Sequence, residues 1–226
     1  MALAFVAVTA LAVVLLALAL SVPRALTGAV SGARRSFHLF SRHAAGVAGV
    51  LALTTFGHYS MYAFLPLYAT GHGHGGIVVG FFATYSVWMI VGRALFGALS
   101  DRLGRVRVAL LAILATAAGY LSLAASPSPP SLIAAALLLA SGSAVLFPTL
   151  TALVLDRTPE AERGLALGSV RSAWDLGAMV GSAAMGFVAD HLSFAAGFAL
   201  ASATAALGAV TLVVLERGAS PSPPTP

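Results

Sequence analysis

A carboxylate and a guanidinium stand together inside an apolar stretch near the carboxyl end of this chain. Asp175 follows Arg171 by four residues, so a helix places the two side chains one turn apart on the same face, where they can neutralise each other. A carboxylate near the middle of a membrane helix is typical of a proton relay or a substrate site. The spacing therefore predicts either a proton-coupling or substrate-binding pair, or a structural ion pair.

Three polar aromatic residues fall in the middle of an earlier apolar stretch. His58 and Tyr62 are four residues apart and share a helical face, and Tyr59 lies beside them. Such side chains stack on small organic molecules and also form hydrogen bonds with them. They are candidates for the lining of a substrate cavity, although the same residue types at this position also commonly pack against neighbouring helices.

A short polar turn separates two long apolar stretches in the centre of the chain. It reads Gly97-Ala98-Leu99-Ser100-Asp101-Arg102-Leu103-Gly104-Arg105-Val106-Arg107. Charges are costly inside lipid, so this turn is predicted to lie at a membrane surface. The candidates for a structural or gating role are Gly97, Asp101, Arg102, Gly104, Arg105, Arg107 and the preceding Arg93.

The composition places the chain in the membrane class. Of 226 residues, 59% are hydrophobic and 8% are charged, and residues 44–92 and 108–155 contain no Asp, Glu, Lys or Arg. Each stretch is long enough to cross a bilayer twice, at roughly 20 residues per crossing. The chain has no cysteine, no motif of a known catalytic site, and only His72 and His74 as a weak metal pattern. We therefore predict that it is not an enzyme and binds no metal or cofactor.

Apolar stretches and the breakers between them predict seven membrane spans. These lie at about 2–20, 44–69, 77–99, 107–125, 132–155, 164–188 and 194–215. The loops on one side hold ten arginines, whereas the opposite loops, 70–76, 126–131 and 189–193, hold none. The positive-inside rule predicts an N-terminus outside and a C-terminus in the cytoplasm, and it explains the net charge of +5 without a nucleic-acid partner.

An internal repeat relates two span ends. Residues 91–103 match residues 180–192 at six of thirteen positions, one copy leaving the membrane inside and the other outside. This is the pattern of a three-plus-three inverted repeat, with chance similarity between glycine- and alanine-rich helices as the alternative. Two Gly-x-x-x-Gly pairs, at 164/168 and 177/181, predict close helix packing.

The predicted fold is an all-α polytopic membrane bundle in four parts. These are a first helix at 1–20, a basic cytoplasmic loop at 21–43, a six-helix unit at 44–215 and a disordered cytoplasmic tail at 216–226.

The segment from Gly97 to Arg107 resembles the loop signature G-x-L-A-D-R-x-G-R-[KR] of the major facilitator superfamily of secondary transporters, with Ser100 where the family commonly has Ala. Three further pieces resemble that family in order: 63–69, 147–148 with 156–159, and 162–168 with 175–177. The resemblance implies the C-terminal half of such a transporter, preceded by its sixth helix. It is most similar to the drug- and sugar-efflux branches.

What the resemblance implies is a secondary active transporter of the bacterial inner membrane. It would be an antiporter that exports a small organic solute in exchange for protons. The loop aspartate, Asp101, would then dock near a helix end of the other half, and Arg93 would order the loop. Because the match covers half of such a fold, we predict a half-length subunit that works as a homodimer or with a separately encoded N-terminal half. The alternative is a non-transporting truncated membrane protein or an incomplete gene model.

Overall fold

The computed structural model describes residue 41 and residues 44–218, except for the side chains of residues 96–101 and 218. This part of the chain forms seven α-helices and one short 3-10 turn, and it contains no strand. The predicted all-α class is therefore confirmed. The helices are α1 Ala45–Thr55, α2 His58–Gly71, α3 Ile77–Leu103, α4 Arg105–Ala125, α5 Pro129–Asp156, α6 Arg163–His191 and α7 Phe194–Gly218, with the 3-10 turn at Glu160–Glu162.

Several predicted segments lie outside the described residues. These are the first helix at 1–20, the basic loop at 21–43 apart from Ser41, and residues 219–226 of the tail. Residues 216–218, which were predicted to belong to the tail, are the last residues of α7. Its last turn is tied to the bundle by Arg157, whose Nη2 lies 2.7 Å from a carboxylate oxygen of Glu216.

The predicted span at 44–69 is divided into two helices. Phe56 and Gly57 form a turn between α1 and α2. A Cβ at Gly57 would lie 2.6 Å from the Tyr120 ring and 2.7 Å from the Ala201 side chain. The missing side chain thus lets α4 and α7 contact the turn directly, and the helix bends at this point. An apolar run in the sequence does not show such a bend.

Four of the described helices are long and apolar enough to cross a membrane. They are Ile77–Leu95, Arg105–Ala125, Pro129–Asp156 and Phe194–Arg217, in agreement with four of the predicted spans. α1 and α2, with 11 and 14 residues, are each too short alone. α6 has the length, with 29 residues, but small and polar residues, Arg171 and Asp175 among them, lower its hydropathy.

The helices pack as one layered bundle. α4 lies against α5 and α7, and α3 packs on α5, while α6 contacts α1, α2 and α7. Hydrogen bonds also join helices: Tyr68 Oη, on α2, donates to the Leu123 carbonyl on α4 at 2.9 Å, and Trp88 Nε1, on α3, donates to Ser141 Oγ on α5 at 2.7 Å. In lipid, helix association depends on such bonds and on close packing, because the surrounding tails are as apolar as the helices.

The outer surface of the bundle is also apolar. Val79 is 78% exposed, Ile90 70% and Phe187 65%. Large exposed apolar side chains of this kind mark a surface that meets a membrane or another protein.

Two glycines bring α6 onto the backbone of α1. A Cβ at Gly177 would overlap the carbonyl oxygen of Ala52, and a Cβ at Gly181 would overlap that of Phe56. The predicted packing role of this pair is therefore confirmed. The pair at Gly164 and Gly168 differs, because no described residue would lie within 4 Å of a Cβ at either position.

Candidate functional site

Arg171 and Asp175 form the predicted ion pair near the middle of α6. Arg171 Nε lies 3.2 Å from Asp175 Oδ2, and Arg171 Nη2 lies 3.3 Å from Asp175 Oδ1. The guanidinium therefore contacts both carboxylate oxygens. The side chains are 61% and 48% exposed, so the pair lies on an open face of the described bundle and not in its core.

A second helix reaches the same carboxylate. Tyr59 Oη, on α2, donates to Asp175 Oδ1 at 3.3 Å. The bend at Gly57 and the close approach of α6 to α1 bring α2 and α6 together where Tyr59 meets Asp175. Asp175 is thus held by donors from its own helix and from α2.

His58 lies at the centre of a group of aromatic rings. Its ring centroid lies 5.6 Å from that of Tyr59, 5.5 Å from that of Tyr62 and 4.9 Å from that of Trp174. The predicted neighbours His58 and Tyr62 therefore do meet. All five residues proposed for substrate or proton contact lie on one face, which α2 and α6 form.

Other aromatic residues complete this surface, and the sequence did not single them out. Phe82 stacks on Tyr62 with ring centroids 5.5 Å apart and planes at 9°, and Phe147 meets Trp174 edge-on at 5.4 Å. Tyr85 lies edge-on to Tyr62 at 6.2 Å. These rings come from α3, α5 and α6. They could be predicted as neighbours only if it were known which helices pack against each other. Trp174, next to Asp175 in the chain, is the one that local position could have indicated.

We call the whole set the polar-aromatic face. Its members are His58, Tyr59, Tyr62, Phe82, Tyr85, Phe147, Arg171, Trp174 and Asp175. Tyr59 and Tyr62 are 43% and 44% exposed, whereas Tyr85 is 2% exposed. The Tyr85 hydroxyl has Tyr62 and Ser143 as polar neighbours but forms no hydrogen bond of good geometry among the described residues. Aromatic faces beside a charged pair suit a small molecule with an apolar body and a polar group.

The loop motif lies at the C-terminal end of α3. The glycine-rich segment 70–76 precedes the N-terminal end of the same helix. Gly104 joins α3 to α4 with a φ of +85°, a backbone conformation that favours glycine. Arg105, at the start of α4, pairs with Asp156 at the end of α5. Gly97 and Asp101 lie in the last turns of α3, but the Asp101 side chain is outside the described residues. Arg93, Arg102 and Arg107 are exposed.

Comparison with known proteins identifies the family of this chain. The family model described as Major Facilitator Superfamily matches residues 78–226. An uncharacterised MFS-type transporter of Pseudomonas aeruginosa strain UCBPP-PA14 is 29% identical over 89% of this chain and 50% of its own length. One of strain LESB58 is 30% identical over 88% and 49%, and one of Methanocaldococcus jannaschii is 29% identical over 60% and 35%.

A solved structure supports the same fold. The crystal structure of the POT family transporter PepTSo matches with a TM-score of 0.70 and 18% identity, over 82% of this chain and 39% of that chain. At this identity the likeness shows the fold alone. The chain spans about half the length of the Pseudomonas relatives that it matches.

The family resemblance predicted from the loop and helix motifs is thereby confirmed, and it is a family of transporters and not of enzymes. Apolar helices of membrane length and relatives named as transporters make the protein an integral membrane protein. The chain belongs to the Major Facilitator Superfamily, and its sequence corresponds to the C-terminal half of that fold.

Proposed function

We propose that this chain forms one half of a secondary active transporter that moves a small organic solute across the membrane in exchange for protons. The polar-aromatic face contacts the solute, and Asp175 is the proton-linked group. Transport runs outward across a bacterial inner membrane, with the arginine-rich loops in the cytoplasm. The partner half is either a second copy of this chain or a separately encoded N-terminal half.

One observation carries this proposal. An ion pair that is about half exposed lies among aromatic rings in the middle of a helix of membrane length. In contact with lipid such a pair would be costly, so it is expected to face a water-filled cavity or a second protein half. In transporters that consist of two such halves, the solute site lies between the halves near the bilayer midplane. The exposed face of α2 and α6 is therefore the surface that the other half covers.

The loop and the polar ends of the helices receive a structural role in this proposal. Arg105–Asp156 joins the start of α4 to the end of α5, and Arg157–Glu216 joins the end of α5 to the end of α7. Asp101 would add a contact from the end of α3 to the partner half. Such contacts position the helix ends without touching the solute.

The test is transport in vesicles that contain the full chain, alone and with its candidate partner, under an imposed pH gradient. The probes are ethidium and a radiolabelled hexose, one for each efflux branch that the sequence resembles. Asp175→Asn is expected to abolish uphill movement driven by the gradient while solute exchange continues, because exchange requires no net protonation. The expected loss is about a hundredfold or more in uphill rate, because positioned proton-transfer groups contribute roughly 10²–10⁴-fold.

Asp190→Asn is the matched control, because it makes the same change near the end of the same helix. It is expected to keep the wild-type ratio of uphill movement to exchange. Undiminished gradient-driven transport by Asp175→Asn would reject the coupling role. If the wild-type chain transported neither probe with any partner, the result would favour the non-transporting alternative.

A further inference from the structure

An open groove runs between α4 and α7, away from the polar-aromatic face. It encloses about 270 Å³ and is lined by Leu110, Ala209, Val210, Val213, Val214 and Arg217. Val210 and Val214 are 59% and 62% exposed, so this part of the groove opens outward. An apolar groove with an arginine at one end combines two kinds of contact in one site.

The charges around this end of the bundle are unequal. Asp156 is paired with Arg105, and Glu216 is paired with Arg157. Arg217 and Arg107 are exposed, and neither forms an ion pair or a hydrogen bond among the described residues. Among the described side chains at this end, Asp156 and Glu216 are therefore occupied by other arginines, and no ion pair neutralises Arg107 or Arg217.

One of these arginines lines the groove, and the other is expected one helical turn beyond it. Arg217 lines it directly, on the last turn of α7. Arg107 precedes the groove residue Leu110 by three positions on α4, so it lies one turn further out on the same face. The two guanidinium groups are therefore expected at the same mouth of the groove, on the side predicted to be cytoplasmic.

A second groove shows what is particular about the first. It encloses about 350 Å³ between α3 and α5 and is lined by Ala83, Thr84, Val87, Trp88 and Leu137. None of the described residues that line it is charged. An apolar chain alone could occupy either groove, whereas an anion has a binding partner only at the first.

We propose that the groove between α4 and α7 binds an anionic phospholipid. The phosphate accepts hydrogen bonds from Arg217 and Arg107, and one acyl chain lies along Leu110, Val210 and Val214. Guanidinium groups suit a phosphate because they donate in pairs and stay charged, and basic pockets between membrane helices bind such headgroups. Free phosphate would leave the apolar part of the groove unused, so we commit to the lipid.

The test measures lipid binding to the purified full chain in detergent by native mass spectrometry. The titrants are dioleoyl phosphatidylglycerol, which is anionic, and dioleoyl phosphatidylcholine, which is zwitterionic. The wild-type chain is expected to bind phosphatidylglycerol more tightly. Arg107→Gln and Arg217→Gln are each expected to weaken that binding by about fivefold, the scale of one arginine near an anionic headgroup. Arg163→Gln removes the same charge at the exposed start of α6 and serves as the control.

A second pair of variants tests the groove itself. Val210→Trp fills the proposed groove, and Val87→Trp fills the uncharged one; these valines are 59% and 61% exposed, so both can be enlarged without overpacking the core. Val210→Trp is expected to weaken phosphatidylglycerol binding, and Val87→Trp to leave it unchanged.

Three results would overturn the proposal. The first is equal affinity for the two lipids. The second is unchanged phosphatidylglycerol binding in the double variant Arg107→Gln with Arg217→Gln. The third is full binding by Val210→Trp together with displacement of the lipid by inorganic phosphate, which would assign the arginines to a phosphate without an acyl-chain contact.

Discussion

Asp175 is held by two helices and yet remains open to the surroundings. Arg171 contacts both of its oxygens from one turn earlier on α6, and Tyr59 reaches one of them from α2. These contacts hold the carboxylate in place, and it is also accessible because 48% of the side chain is exposed. A group that binds a proton on one side and releases it on the other needs both properties. The neighbouring rings of His58 and Trp174 place a candidate solute surface beside it.

Arg171→Ala is expected to slow gradient-driven transport, because Asp175 loses the guanidinium that contacts both of its carboxylate oxygens. Exposed ion pairs contribute about 0.2–1 kcal/mol, so the loss in rate should stay within about fivefold. Transport rates in vesicles under a fixed pH gradient measure the effect, with Arg163→Ala as the control on the same helix. Equal rates for Arg171→Ala and Arg163→Ala would contradict a positioning role for Arg171.

α6 has two features with opposite effects on its stability in a membrane. Its polar residues make it a poor membrane helix on its own, while its glycines let it lie against α1 with backbones in contact. Close packing of this kind compensates for lost hydropathy, because van der Waals contact is a main source of helix association in lipid. The glycine pair thus supports the helix that presents Arg171 and Asp175.

Gly181→Ala is expected to destabilise the protein. Its Cβ would overlap the Phe56 carbonyl, a backbone atom that cannot move aside without shifting α1. Overpacking of this kind costs about 1–3 kcal/mol, and thermal unfolding in detergent measures it.

Gly164→Ala is the matched control for this change. No described residue would lie within 4 Å of its Cβ, and alanine favours a helix over glycine by up to about 1 kcal/mol. Its unfolding temperature should equal or exceed that of the unsubstituted chain. Equal destabilisation by both variants would show that the effect comes from the residue type and not from the contact.

Across the whole molecule, charge is distributed by side and not by helix. Apart from Arg93 and Arg171, the arginines of the described helices and turns lie at the ends of α3, α5 and α7 and the starts of α4 and α6, while the loops at 70–76, 126–131 and 189–193 contain none. This asymmetry predicts a cytoplasmic location for the arginine-rich end. The ion pairs of Arg105 and Arg157 add contacts between helices at the same end.

Cysteine labelling tests this orientation, and the chain is suited to it because it contains no cysteine. Gly73 and Gly104 are poor sites for the new residue, since both have positive φ. Gly76 and Gly164 are exposed and would place a Cβ in open space. Gly76→Cys should react with an impermeant thiol reagent from outside intact cells, and Gly164→Cys should react only after the membrane is permeabilised. The reverse pattern would overturn the orientation.

The membrane class, the bounds of most helices and the family could all be predicted from the sequence. Long uncharged stretches require membrane helices, and breakers such as 126–131 mark where they end, so the helices from α3 to α7 lie within a few residues of the predicted spans. The pairing of Arg171 with Asp175 was also predictable, because helical spacing fixes which side chains share a turn.

Other features of the fold and the candidate site depend on how the helices pack, and no local sequence pattern contains them. The bend at Gly57 depends on Tyr120 and Ala201, which approach it from helices that are distant in the chain. Within the described part of the chain, Gly177 and Gly181 pack against a partner backbone while Gly164 and Gly168 do not, although both pairs have the same spacing. In the same way, Phe82 and Phe147 join the candidate site only once α3 and α5 are in place. Spacing along one helix sets the face on which a residue lies, whereas the packing of several helices sets what that face meets.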